Sequence, residues 1–254
     1  MSTSATISPD TSHVLSQVTN KVLAITFNRP DKKHALTLQM YRQLATLLID
    51  AGGNDEISVV TITGGQDCFS AGNDLRDFLS AGLLDDAHPV VQFLQVIAAF
   101  EKPIIAGVSG YAVGIGTTLL MHCDLVYATD AAKFRLPFVP LGLCPEGGSS
   151  LILPGMMGHQ KAAELLMFGE FFSPATALGC GLINDIINDQ PIEQYIAGRA
   201  EQLSQLPTES VLETKRLLKH NHTQVIETID EEIIAFSRLM HSDECQAIIK
   251  KVLG

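Results

Sequence analysis

Two apolar runs, Ile57 to Thr63 (ISVVTIT) and Pro103 to Val108 (PIIAGV), each pass through a bend of small residues into a segment of helical pattern. Runs of this kind, without polar alternation, belong to strands covered on both faces, which is the condition of a parallel sheet in an α/β protein. The first run ends at Gly64-Gly65 and continues through Ser70-Ala71-Gly72-Asn73-Asp74 into a helical stretch. The second enters Gly110 to Asp124, GYAVGIGTTLLMHCD. There Gly110, Gly114 and Gly116 let the backbone bend, or approach a ligand, with no Cβ in the way. Thr117 to Cys123 then reads as a buried helix. A helix's first turn carries unpaired N–H groups and partial positive charge, so such a bend can hold negative charge on a ligand or in a reaction.

The remaining elements follow from periodicity. Val14 to Val18 and Val22 to Phe27 read as strands joined by a turn at Thr19-Asn20-Lys21, after a polar, frayed segment over residues 1–12. The loop NRPDKKHAL gathers Arg29, Lys32 and Lys33. From Thr37, apolar residues recur at helical spacing until Gly52-Gly53, and a further helix fits Val90 to Phe100. CDLVYA and KFRLP add short strands, and PLGLCPEGGSSLILP holds an isolated acid, Glu146, between a proline and two glycines. From residue 159 the pattern is helices alone. Ser173-Pro174 is a start signal, and helices fit Ile192 to Leu206, Glu209 to His220, Thr223 to His241 and Asp243 to Leu253. We expect a core over residues 1–200 and a helical region over 201–254.

Charge and motifs remove several classes of function. A net charge of −11 with only 17 Lys and Arg argues against a nucleic-acid partner. No apolar run reaches the roughly 18 residues of a membrane span, and the N-terminus lacks the pattern of a signal peptide. The five cysteines are widely spaced, with no Cys-x-x-Cys pair, and read as reduced thiols. HExxH, GxSxG and GxxxxGK[ST] are absent, the eight histidines are scattered singly, and GxxxGxG lacks dinucleotide-site spacing, so we expect neither a metal nor a bound cofactor. Two bends able to present backbone N–H groups remain, with one glutamate. That set suits a reaction in which a carbonyl oxygen gains charge while a carboxylate moves a proton.

The segments FSAGNDL (Phe69 to Leu75), GYAVGIG with its following CDL, and PLGLCPEGGSS, in this order and spacing, resemble the crotonase superfamily of enoyl-CoA hydratases and isomerases. The resemblance runs from NRPDKKHAL to SDECQAIIKKVL. It implies a spiral of ββα units followed by a helical region that assembles trimers or dimers of trimers. It also implies an acyl-CoA thioester as substrate, its carbonyl oxygen held between two backbone N–H groups, which match to Ala71 and Ile115. Ser70, Ala71, Gly72, Asn73, Asp74 and Leu75, with Gly114 and Phe138, would line the substrate channel. Arg29 and Lys33 would neighbour the CoA phosphates or adenine, and His34 stands where an asparagine is common.

In the hydratases two glutamates act, at positions that match Thr118 and Phe138 here. The PEGGSS block instead resembles Δ3-Δ2-enoyl-CoA isomerases, where a single glutamate at the position of Glu146 works alone. The resemblance thus implies an isomerase of unsaturated fatty-acid oxidation, with CoA as part of the substrate and no separate cofactor. Its apolar neighbours Phe138, Leu141 and Leu143 lead us to expect a raised pKa for Glu146. The alternatives are another CoA enzyme, such as a hydratase or thioesterase, and a non-catalytic acyl-CoA-binding protein. The ending Lys251-Val252-Leu253-Gly254 is not of the SKL type, and we expect a bacterial cytoplasmic protein.

Overall fold

The computed structural model describes residues 12–80, 82, 84–219 and 221–254. The segment read as frayed lies outside these residues except for Ser12, and so does the helix end expected at His220. Two sheets share the strands. The larger has β1 (Val14–Thr19), β2 (Val22–Phe27), β3 (Val59–Thr63), β5 (Ile104–Val108), β7 (Leu125–Ala128) and β10 (Asp185–Ile186) side by side, parallel except where β1 meets β2. The smaller holds β4 (Cys68–Ser70), β6 (Tyr111–Val113), β8 (Lys133–Arg135) and β9 (Phe171–Phe172), the first three parallel. Each pair β3–β4, β5–β6 and β7–β8 places its first strand in the large sheet and its second in the small one. Repeating that step generates the spiral of ββα turns.

The helices are α1 (Leu38–Gly52), α2 (Leu75–Ser80), α3 (Pro89–Ala99), α4 (Ile115–Thr118), α5 (Ser149–Met157), α6 (His159–Phe168), α7 (Pro174–Gly179), α8 (Ile192–Ser204), α9 (Thr208–Leu218), α10 (His222–Met240) and α11 (Asp243–Leu253). Thr37 caps α1 by accepting the Met40 N–H at 3.3 Å, and Ser173 caps α7 by accepting that of Thr176 at 3.1 Å. All five residues of β3 and of β5 are buried. On one face of the large sheet lie α1 and α3, with Tyr41 and Phe93 rings 5.4 Å apart. On the other, α8 sets Ile192, Ile196 and Ala200 against Val59, Ile105 and Tyr127. A Cβ on Gly107 would stand 2.6 Å from Ile196, so this layer closes only over a glycine.

Three expectations change. The bends after the long strands contain strands of their own, β4 and β6, too short for a periodic signal. The helix read over Thr117 to Cys123 starts at Ile115 and tightens after one turn into a 3₁₀ segment, Leu119–His122. Beyond residue 159 the chain is not helical throughout, because β9 and β10 each add two residues to a sheet edge. The expected division between residues 200 and 201 falls inside α8. Among the described residues no helix is long and apolar enough to cross a membrane, and no group of three His, Cys, Asp or Glu could hold a metal ion.

Candidate active site

Parallel pairing of β4 with β6, Ser70 opposite Ala112, makes the two small-residue bends leave neighbouring strands at the same end. They touch backbone to backbone. A Cβ on Gly72, whose φ is +92°, would lie 2.8 Å from the Val113 carbonyl oxygen, and one on Gly116 would lie 2.8 Å from that of Ser70. The second bend turns at Gly114, whose N–H donates to the Arg135 carbonyl at 2.9 Å, while its own carbonyl accepts from Thr117 and Thr118. The Ile115 N–H therefore opens the first turn of α4 and has no acceptor among the described residues.

The first bend corrects the expected donor. The Ala71 N–H is occupied, donating to the Lys33 carbonyl at 2.9 Å. Two residues on, Leu36 pairs with Asn73 as an isolated parallel bridge, Leu36 N–H donating to the Gly72 carbonyl and Asp74 N–H to the Leu36 carbonyl. In parallel pairing the residue between those two partners points its own N–H the opposite way. That residue is Asn73, and its N–H has no acceptor among the described residues. Its side chain is fixed by Tyr41, whose hydroxyl donates to Asn73 Oδ1. Tyr41 lies in the apolar stripe of α1 and reads from sequence as core, so periodicity conceals its polar end.

Glu146 sits just before α5 and is 3% exposed. Thr118 Oγ1 donates to its Oε1, while Oε2 is buried with no hydrogen-bond partner among the described residues. Burial pushes the carboxyl up to about 8, the Thr118 hydrogen bond pulls it down, and the charge of Glu232 adds to the rise. Thr118 follows Ile115 by three residues on α4, a rise of about 4.5 Å, so the residue that holds the carboxyl stands within one turn of that amide. The Tyr41 hydroxyl is raised well above its ordinary value by burial, then by Glu146 and Asp77, which places both ends of the site in one electrostatic neighbourhood.

The loop carrying Glu146 is fixed from several sides. Gly147 and Gly148 adopt φ of +71° and +75° in succession. The Gly147 carbonyl accepts from His122 Nε2 at 2.8 Å. Glu232 on α10 accepts the Gly148 N–H at 2.6 Å and the Ser150 N–H at 2.8 Å. His122 is held neutral, its pKa lowered to about 4 by burial and by Lys219.

The other expected site residues divide. Ser70 is fully buried, its hydroxyl donating to the His34 carbonyl at 2.9 Å. Arg29 and Asp74 form an ion pair at 2.9 Å, and Arg29 also donates to the Ala35 carbonyl, so this guanidinium ties the 29–36 loop to the Asn73 bend instead of standing free for a phosphate. His34 Nδ1 accepts the Arg29 N–H at 3.0 Å. Lys33 is exposed, with Nζ 6.0 Å from the Tyr111 ring centroid. Leu75 packs on the core, and Phe138 is buried with its ring 6.5 Å from that of Phe236. A cavity of about 690 Å³ between the end of α3 and α9, lined by Phe100, Glu101, Leu212, Lys215 and Lys219, contains none of Glu146, Asn73 and Ile115.

Residues 17–252 match the family model described as Enoyl-CoA hydratase/isomerase. The chain is 37% identical over 231 residues to Enoyl-CoA delta isomerase 2 of Rattus norvegicus, covering 88% of this chain and 59% of that protein. It thus spans about three fifths of that relative's length. It is 32% identical to 2,3-dehydroadipyl-CoA hydratase of Escherichia coli (strain K12) over 204 residues, 79% of each chain. The solved structure of Pseudomonas aeruginosa OdaA superposes with a TM-score of 0.93 at 41% identity, covering 96% of this chain and 99% of that one.

Proposed function

The chain belongs to the enoyl-CoA hydratase/isomerase family, and on that premise we propose that it is a Δ3-Δ2-enoyl-CoA isomerase of unsaturated fatty-acid oxidation. The observation that carries this reading is Glu146. It is a buried carboxylate with one oxygen held by Thr118, the other without a hydrogen-bond partner among the described residues, and a pKa pushed up to about 8. Such a group is a strong base when ionised and a usable acid when protonated, and one residue moving one proton twice needs both. Glu146 Oε2 takes the proton from C2 of a 3-enoyl thioester. The electron pair delocalises through the C3–C4 double bond and onto the thioester oxygen. The same proton then returns to C4, leaving the double bond between C2 and C3. The Asn73 and Ile115 N–H groups receive the oxyanion, and loss of one such donor typically costs about 3 to 4 kcal/mol of barrier.

Hydration, the activity in the name of the Escherichia coli relative, calls for a second acid–base group to handle water. At the two matched positions stand Thr118, whose hydroxyl serves Glu146, and Phe138, which is buried. Glu232, the other carboxylate facing this loop, is committed to two amides. With Arg29 tied to Asp74, the exposed Lys33 is our candidate from the N-terminal loop for the CoA phosphates.

The deciding experiment follows conjugated 2-enoyl-CoA formed from a 3-enoyl-CoA by the purified protein, beside Glu146→Gln. Turnover by the wild type and a loss of about 10³-fold or more in the variant are expected. A wild type that hydrates 2-enoyl-CoA while leaving 3-enoyl-CoA unchanged refutes the assignment.

A further inference from the structure

Resting on the reading of Glu146 as the proton carrier, we propose that Glu232 of α10 is a positioning residue that fixes the turn carrying Glu146. The turn after Glu146 contains two glycines in the left-handed region, Gly147 and Gly148, and successive residues of this kind direct backbone N–H groups to one side. Glu232 fills that concavity. One carboxylate oxygen takes the Gly148 N–H at 2.6 Å and the other takes the Ser150 N–H at 2.8 Å. Both lengths are those of charge-assisted bonds. Glu232 is 7% exposed and is carried on a helix anchored by Val225, Ile229, Ile233 and Phe236, so its position is set by the core.

Among the described residues the Glu146 side chain has one hydrogen-bond partner, Thr118, so where Oε2 stands depends on the backbone behind it. That backbone is held at the Gly147 carbonyl by His122 and at the next N–H groups by Glu232. A cap on α5 alone would satisfy N–H groups at the helix start. Here the bidentate grip takes Gly148, two residues after the reacting carboxyl, and Ser150, just beyond the glycine pair.

The charge of Glu232 acts as well. The groups facing Glu146 are Thr118 from α4, Tyr41 from α1 and Glu232 from α10, all without positive charge. The nearby cations have other partners: Lys219 donates to the His122 carbonyl at 2.9 Å, and Lys215 pairs with Asp124 at 2.7 Å. Arg238 lies six residues further along α10 and acts on Cys144. The negative charge of Glu232 therefore opposes ionisation of Glu146 and raises its basicity.

Four full-length proteins test this: wild type, Glu232→Gln, Glu232→Ala and Glu146→Gln. Steady-state kinetics on a 3-enoyl-CoA are measured across pH, together with hydrogen exchange over residues 146–152. Glu232→Gln keeps the shape and loses the charge, and we expect the acid limb of kcat/KM to move to lower pH with KM nearly unchanged. Glu232→Ala loosens the turn, and we expect kcat to fall by about 10²-fold, the scale of a 1 Å misplacement, with faster exchange at Gly148 and Ser150. A merely structural role would lower stability while leaving the pH profile in place, and that result overturns the proposal. So does a wild-type kcat in folded Glu232→Ala. An active Glu146→Gln instead overturns the underlying assignment, and the exchange data then still report whether Glu232 holds the turn.

Discussion

Substituting Glu146 by Gln separates the stability of this fold from its chemistry, because the buried carboxyl costs the protein free energy whenever it ionises. In the unfolded chain Glu146 releases its proton near 4.5, whereas in the folded protein it holds it to about 8. Between those values the folded state binds one more proton than the unfolded state, so stability conferred by the group is full below 4.5 and is lost as pH rises through about 8. Each pH unit inside the window removes about 1.4 kcal/mol, so between pH 5.5 and 7.5 the wild type loses about 2 to 3 kcal/mol that the glutamine variant keeps. Constant costs, such as the amide nitrogen that glutamine leaves unpartnered where Oε2 was, cancel in this pH difference. The assay is urea unfolding of both proteins at the two pH values and one protein concentration, so that any association enters equally. The variant is expected to gain on the wild type as pH rises while it loses turnover. Unfolding free energies that run parallel with pH would mean that Glu146 is ionised in the folded protein at pH 5.5, and the account of its basicity would fall.

Thr118→Val removes the hydroxyl that holds Oε1 without opening a cavity. A hydrogen bond to a charged group is worth about 1.5 to 3 kcal/mol, so the acid limb of kcat/KM should rise by about one to two pH units from about 8, and an unmoved limb counts against the contact. Gly72→Ala puts a methyl 2.8 Å from the Val113 carbonyl oxygen at a φ of +92°, and thermal unfolding should show it destabilised by about 2 kcal/mol or more, with turnover lost alongside; a native-like variant would place the bends further apart. We also propose a homotrimer, supported by the exposed apolar side chains of Leu217, Leu218, Ile234 and Val252 on the C-terminal helices. Light scattering behind a sizing column should give about three times 27.4 kDa, or twice that again, and a monomer refutes it.

The sequence carried the large sheet well, because β3 and β5 are unbroken apolar runs and burial on both faces demands that pattern. Of the small sheet it carried only β8, read in KFRLP. Strands of two or three residues have no period to read, and β4 and β6 exist because parallel neighbours bind them. The site divides in the same way. Glu146 stands out as an acid among glycines and apolar residues, and its burial follows from that company. The donor in the first bend is a matter of which amide faces outward, and side-chain identity says nothing about it. Ala71 and Asn73 are two residues apart, and only the pairing of Leu36 with the bend distinguishes them. Arg29 shows a related limit. A cation in an acidic chain looks available to a phosphate until the partner folded against it, Asp74, is known.

The contact between Thr118 and Glu146 bears on why one carboxylate stands here. A glutamate at position 118 would bring a second carboxyl against a site already buried, next to Oε1. Two carboxyls at that distance share one proton, since burial penalises each charge and each charge penalises the other. The hydroxyl at 118 avoids this: it donates to the ionised form and adds no charge. Adding the hydratase-like acid alone therefore does not convert the enzyme. Thr118→Glu should lose isomerase turnover, because a proton held between the two carboxyls spreads their single negative charge and lowers the basicity of Glu146, and it should gain no hydration of 2-enoyl-CoA, because Phe138 still stands at the matched position of the second hydratase acid. Both assays on one folded preparation decide it. Hydration appearing in Thr118→Glu with Glu146 intact would show that the two carboxyls act independently, and the exclusion argued from their contact would be wrong.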